Sequence, residues 1–495
     1  MHISVENLGP LSKAEFDLKP LTVFIGDNRR GKTKYITLTT SLLDDCGYLA
    51  FVNKYISESH PYSIPEIDEL YTNLEDHGRV QIDIVSLFEK IGQTYFNLLG
   101  NLAPEEASSI LGTENETYAN LKMVFTLTQG DIRSIKKELI NIEFDKQFEG
   151  LGIGVVKEKE NPSIHIYVTS ENTPQQRKLP KRIIMRFILN NTLHLIHQAY
   201  LSEIFYLPSE RAGLLLLISR MREVNTNADA SGNNTINSEN SRESNLHLPH
   251  AVIDYLGLVG SLLKNGSLEE RIREAEKDLN IKRYIEYANL LNNTIVGDTI
   301  GLSSLEPSPK REIQIKAENH IIDIQGTSSQ VKGLVGLVLY LQYKARPNNL
   351  IVIDEPEQNL HPNQQVALAE FIAILVNSGL NVAITTHSPY IIEHLQNLIQ
   401  AYDVKDKSDV IDKLKLKNED ALITKEKVGV YLFDNGTVEN ILLDDGSINW
   451  QTFCNTANDI EDVEMTIYRQ KRYENSTSPA STGKVTESLP SYKKE

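Results

Sequence analysis

"FIGDNRRGKTKY" spans residues 24–35, and its reading decides the fold. Gly26, Gly31, Lys32 and Thr33 stand at the spacing of a phosphate-binding loop. Such a loop turns its backbone N–H groups onto phosphate oxygens, and the helix after it adds the positive end of its dipole. Gly26, Asn28, Arg30, Gly31, Lys32, Thr33 and Lys34 are the candidate nucleotide contacts. Within them Lys32 would reach the β- and γ-phosphates, and the Thr33 hydroxyl would ligate magnesium. Asp27, Arg29 and Arg30 depart from the small residues usual here. Two readings of the arginines stand: charge offsetting backbone cost beside phosphate, or surface pairing with neighbouring acids. Upstream, "LTVFIG" (21–26) is a continuous apolar run, the pattern of a strand buried on both faces. "HISVENLG" and "KAEFDLK" alternate and flank turn chemistry, so residues 1–45 predict strand, turn, strand, strand, loop, helix.

Two more apolar runs end in chemistry. "LIVIDEPEQNLHP" (350–362) delivers Asp354 and Glu355. Asp354 would hold magnesium directly or through water, and Glu355 would polarise the attacking water. "AITTHSPYIIEHL" (383–395) delivers His387, a neutral partner for the γ-phosphate or the water. Strands alternating with helices imply a parallel sheet, and ligands of such sheets gather at the carboxyl ends of the strands. The predicted class is α/β, with a mixed sheet and a largely helical insertion.

The insertion covers 46–310, between core segments 1–45 and 311–450. Amphipathic stretches such as "SIPEIDELYTNLEDH" predict helices, and 151–170 predicts a hairpin. The almost wholly polar 225–246 predicts a disordered loop, and 267–291 one charged helix. "VGVYLFDNGTVENILL" (428–443) predicts a terminal hairpin on an Asn-Gly turn. A helix over 451–473 and a disordered tail over 474–495 complete the expected organisation.

The chain has 495 residues, 40% of them apolar and 24% charged, with a net charge of −17. That supports a buried core and disfavours a surface that coats DNA throughout, although a local basic groove such as 179–191 is compatible with it. Helical packing explains 179–191 equally well. Two cysteines, Cys46 and Cys454, make no disulfide framework. No apolar run reaches the roughly 18 residues of a membrane helix, and the opening "MHISVENLGP" lacks a signal pattern. A cytoplasmic protein without membrane contact is expected.

Taken together, "GDNRRGKT", "LIVIDEPEQNLHP" and "ITTHSP", with a long insertion after the first, resemble the ABC-type ATPase heads related to SMC and OLD proteins. "YLPSERAGLL" (206–215) and the closing hairpin are similar to prokaryotic stand-alone members, several of which are ATPase subunits of phage-defence systems such as PARIS and Septu. The resemblance implies ATP and Mg2+ as cofactors, catalytic roles for Glu355 and His387, and metal ligation by Thr33 and Asp354. It further implies a homodimer or higher homo-oligomer in which ATP is sandwiched head to tail. "GTSSQVKGL" (326–334) takes the signature position, where Ser328 or Ser329 would meet the nucleotide of the other subunit. The usual glycine pair is missing there, and a plain helix cap is the other reading. Asn359 to His361 would form the loop crossing the dimer. Glu210 and Arg211 suit either a coupling role or a structural salt bridge. OLD proteins carry a nuclease domain after the ATPase, so with only 451–495 following here a separate nuclease or toxin effector is expected. A DNA-repair or chromosome-associated ATPase that clamps DNA directly is the alternative. Lys32→Ala is expected to abolish nucleotide binding, measured with a fluorescent ATP analogue, whereas Arg30→Ser preserves it.

Overall fold

The structure is a computed structural model. It describes residues 1–27, 31–57, 62–114, 118–148, 152–168, 180–230 (backbone only over 221–230), 248–304, 311–317, 320–416, 419–450 and 462–471. Two compact units divide the chain, Met1–Ile448 and Asn449–Glu495.

A nine-stranded mixed sheet organises the first unit. Its order is Lys122–Thr126, His2–Leu8, Leu11–Asp17, Thr437–Asn440, Val428–Asp434, Leu21–Gly26, Asn381–Thr386, Leu350–Asp354 and Ile204–Leu207. The last five of these run parallel. Every residue of Leu21–Gly26 and Leu350–Asp354 is buried, as continuous apolar runs between helix layers require. Register then places the chemistry. Ile25 pairs with Thr386, and Asp354 with Thr385, so the loop, the acid turn and the His387 turn leave the sheet side by side at its carboxyl edge.

The Asn-Gly hairpin forms as expected, with Asn435 and Gly436 at φ 45° and 78°, the left-handed pair a two-residue hairpin favours. Its first strand pairs in parallel with Leu21–Gly26, which puts the hairpin inside the sheet. The N-terminal strand pair joins its far side, and Lys122–Thr126 closes that edge. Both outer strands of the sheet therefore come from the insertion. Lys122–Thr126 buries Met123 and Phe125 and exposes the residues between, the alternation of a half-covered edge. Helix Ile84–Gly100 lies so close that a Cβ on Gly100 would sit 2.4 Å from the Met123 carbonyl oxygen.

The hairpin expected at 151–170 is present as Ile153–Lys157 and Ser163–Val168, the inner pair of a four-stranded antiparallel sheet completed by Arg79–Asp83 and Phe144–Phe148. A three-stranded sheet, Thr299–Ser304, Arg311–Ala317 and His320–Asp323, leads into helix Ser329–Tyr343.

Two expectations change. The polar stretch is helical as far as Ala230, as the continuation of helix Arg211–Ala230; 231–247 lie outside the described residues. Extending an existing helix needs no new nucleus, so weak formers are carried along. The charged segment 267–291 is two helices, Leu268–Ala275 and Leu279–Leu291, because the Asp278 carboxylate accepts the Asn280 N–H at 2.9 Å and restarts the helix. In the second unit, helix covers 462–471 with every residue exposed; the rest of 451–495 lies outside the described residues. No helix among the described residues is long and apolar enough to cross a membrane.

Gly100→Ala is expected to cost about 1–3 kcal/mol in urea unfolding, because backbone blocks the new methyl group. ATP turnover of the folded fraction should be unchanged, since this edge is remote from the carboxyl ends of the central strands.

Candidate active site

Gly26 ends its strand at φ +135°, and a Cβ there would lie 2.4 Å from the Phe433 carbonyl oxygen. Only glycine permits both the turn and the approach. Gly31, at φ 89°, caps helix Lys32–Leu42, so the loop enters the helix through a left-handed residue. Lys32 is 6% exposed, and its ammonium donates to the carbonyl oxygens of Gly26 at 2.7 Å and Asp27 at 2.9 Å. Burial lowers its pKa against the raising pull of Glu355, Asp354, Asp27 and Glu357. Lys34 follows in the first turn of the same helix. Asn28, Arg29 and Arg30 lie outside the described residues.

Asp354 is 2% exposed. Thr33 donates its hydroxyl to both carboxylate oxygens, at 3.2 and 3.1 Å, and Thr385 on the neighbouring strand donates a short bond to one of them. Burial pushes the Asp354 pKa up, and these two hydroxyls push it back. A loop hydroxyl and a strand-end carboxylate, 321 positions apart, thus form one set of oxygen donors, the set a hard divalent cation prefers.

Glu355 sits at φ 47°, rare for a residue with a side chain. Its N–H is held by the Thr385 carbonyl and hydroxyl oxygens, both at 3.1 Å. Gln358 donates to Glu355 Oε2 at 2.7 Å, and His387 Nε2 stands 3.7 Å from Oε1. Both carboxylate and imidazole are partly exposed, at 31% and 27%. Burial, then the Lys32 charge, lower the His387 pKa, which favours the neutral ring.

One residue of the site escapes the sequence reading. Glu357 Oε1 accepts the His387 N–H at 2.7 Å and the Thr386 hydroxyl at 2.8 Å, so it holds the histidine turn. Burial raises its pKa. A third acid two places beyond Glu355 was the available signal. Arg211, expected either to couple or to form a structural salt bridge, is brought to the same site. It is 2% exposed and donates to main-chain oxygens of Asp354 and Glu355 at 2.7 and 3.0 Å. Glu210 is exposed on the surface. Ser328 caps helix Ser329–Tyr343 by accepting the Val331 N–H at 3.2 Å, and both Ser328 and Ser329 are exposed. Asn359, at φ 61°, is exposed on the loop before His361, which caps helix Pro362–Asn377.

The donors fit magnesium-ATP. A buried ammonium and a helix N-terminus face the loop for phosphate, and Thr33 with Asp354 offers oxygen to the cation.

A phosphate loop and an acid-tipped strand one place removed from it, on a parallel core, define a P-loop ATPase. The chain belongs to the AAA ATPase domain family (AAA_15), which matches residues 1–392. It is similar to the Old nuclease of Escherichia phage P2, at 24% identity over 402 residues, covering 80% of this chain. The chain spans 58% of the length of that relative. Two solved structures align weakly. One is an Smc head bound to the C-terminal winged-helix domain of ScpA, at TM-score 0.32 and 11% identity, covering 89% of this chain and 96% of that one. The other is an Smc head with an extended coiled coil, bound to the C-terminal domain of ScpA derived from Pyrococcus furiosus, at TM-score 0.33 and 10% identity, covering 93% and 98%. At these scores neither adds to the argument.

Glu357→Ala is expected to lower kcat for ATP roughly 10- to 100-fold while KM stays nearly constant, as loss of a supporting hydrogen-bond acceptor does. Glu357→Gln retains an acceptor and should restore most of kcat.

Proposed function

We propose that this ATPase works as a head-to-tail dimer, or an assembly of such dimers, and serves as the sensor or regulator of an anti-phage defence system that controls a separate nuclease or toxin. The supporting observation is the convergence of Lys32, Thr33, Asp354, Glu355 and His387 at the carboxyl edge of three adjacent parallel strands. Bound magnesium-ATP supplies a γ-phosphate open to in-line attack by water. Lys32 and the helix N-terminus hold phosphate, and Thr33 with Asp354 holds the cation. Glu355 would take the proton from water, and the neutral His387, its Nε2 3.7 Å from Glu355 Oε1, would help orient that water. Glu357 keeps His387 in place. The exposed helix N-terminus at Ser328–Ser329 suits an anion presented by a second chain. Similarity to the Old nuclease supports a partnership between ATP turnover and nucleic-acid cleavage. So does the likeness of the motifs to stand-alone defence ATPases.

A second reading, direct DNA clamping, draws on one feature. The insertion carries a groove of about 800 Å³ whose lining includes Lys146, Arg182 and Arg186. Phosphate binding there would weaken steeply with salt.

Glu355→Gln is expected to cut ATP turnover roughly 100-fold or more while retaining bound ATP, as loss of a general base does. In a pull-down with the products of neighbouring genes, that variant should change how firmly the effector is held. If no partner is retained by either form and DNA binds tightly in a salt-dependent way, the regulatory reading fails.

A further inference from the structure

Arg211 joins two segments that ATP turnover needs. Among the described residues, all four of its side-chain hydrogen bonds run to main-chain oxygens. Nε donates to Gly333 at 2.8 Å, and Nη1 to Pro208 at 3.0 Å and Asp354 at 2.7 Å. Nη2 donates to Glu355 at 3.0 Å. Gly333 belongs to helix Ser329–Tyr343, whose N-terminus exposes Ser328 and Ser329. Asp354 and Glu355 carry the candidate cation ligand and base. One rigid, planar fork therefore bonds the signature helix and the acid turn at once.

The acid turn is where such a bond has leverage. Glu355 occupies a sparsely populated left-handed conformation, which persists only where the surroundings over-determine it. Its N–H is fixed by Thr385, and its carbonyl oxygen by Arg211. Fixing both peptide planes fixes the direction in which the carboxylate leaves the chain. A shift of the helix at Gly333 pulls on the same guanidinium, which is buried.

We propose that Arg211 is a positioning residue that couples the N-terminus of helix Ser329–Tyr343 to the acid turn of the same chain, so that an anion engaged at Ser328–Ser329 sets the orientation of Glu355. The coupling rests on the dimeric reading above. Each chain then hydrolyses its own ATP fastest when its helix has met the nucleotide of its partner, and turnover is cooperative.

The test uses the full chain with Arg211→Lys, the pair Ser328→Ala with Ser329→Ala, and the three changes combined. Lysine keeps the charge and loses the fork. Arg211→Lys is expected to lower kcat per folded chain about 10- to 100-fold and to abolish cooperativity in ATP, with the affinity for a fluorescent ATP analogue nearly unchanged and the melting temperature lowered, since lysine leaves buried carbonyl oxygens without donors. The serine pair should lower kcat as well, and adding it to Arg211→Lys should cost little more, because both cut one pathway. A kcat loss that only tracks lost ATP binding or lost folded protein overturns the coupling. If the serine pair alone is impaired and its loss multiplies with that of Arg211→Lys, the coupling is overturned and the dimeric reading survives. If the serine pair turns over normally, the dimeric reading fails and takes the coupling with it. Should Arg211→Lys not fold, hydrogen exchange at 354–360 decides. With a non-hydrolysable ATP analogue, the wild type should be protected there relative to the serine pair, and equal exchange overturns the proposal.

Discussion

Asp354 places a carboxylate, 2% exposed, at the end of a strand whose every residue is buried. Left without donors it would destabilise the core by several kcal/mol. Donors come from segments far apart in the chain: the Thr33 hydroxyl from the phosphate-loop helix and the Thr385 hydroxyl from the adjacent strand. Arg211 then binds the carbonyl oxygen of the same residue. Satisfying one buried acid therefore fixes the loop helix, the acid strand, the histidine strand and the start of helix Arg211–Ala230 against one another.

Charge in the site follows the same logic. Lys32 and Arg211 are buried cations beside Asp354, Glu355 and Glu357. Burial lowers the pKa values of both cations and raises those of Asp354 and Glu357, and the opposite charges nearby oppose the shifts of Lys32 and Arg211. Lys32 rests on carbonyl oxygens of the loop, which hold it where phosphate would be met. His387 stands apart as a neutral ring, its turn held by the Glu357 carboxylate through a backbone N–H.

Much of this was legible in the residues. The three mainly apolar runs before Gly31, at Asp354 and before His387 are strands, because a segment buried on both faces is dominated by apolar side chains until it leaves the sheet. Less legible were the sheet's outer strands. Ile204–Leu207 is 4 residues long and Lys122–Thr126 is 5, and each is surrounded by helical sequence that swamps its period. The break at Asp278 is a cap inside a charged run, and the helix reaching Ala230 overrides a polar composition that by itself predicts a loop. Glu357 carries no mark in the sequence beyond being an acid near the pair. Its role depends on a backbone N–H 30 positions away.

The sequence by itself determined the chemistry: the glycines that let a loop turn, the lysine and threonine after them, and the acids and histidine ending apolar strands. These follow from local spacing and from what a buried strand can contain. Tertiary structure alone decided the register that puts Asp354 beside Thr385 and the loop beside both. It also decided that Arg211, open in the sequence to a coupling role or a structural salt bridge, is a buried clamp on four carbonyl oxygens. Carbonyl oxygens are the same at every position, so no residue pattern marks which of them an arginine will bind; only the packing of the strands and helices brings the chosen ones within reach.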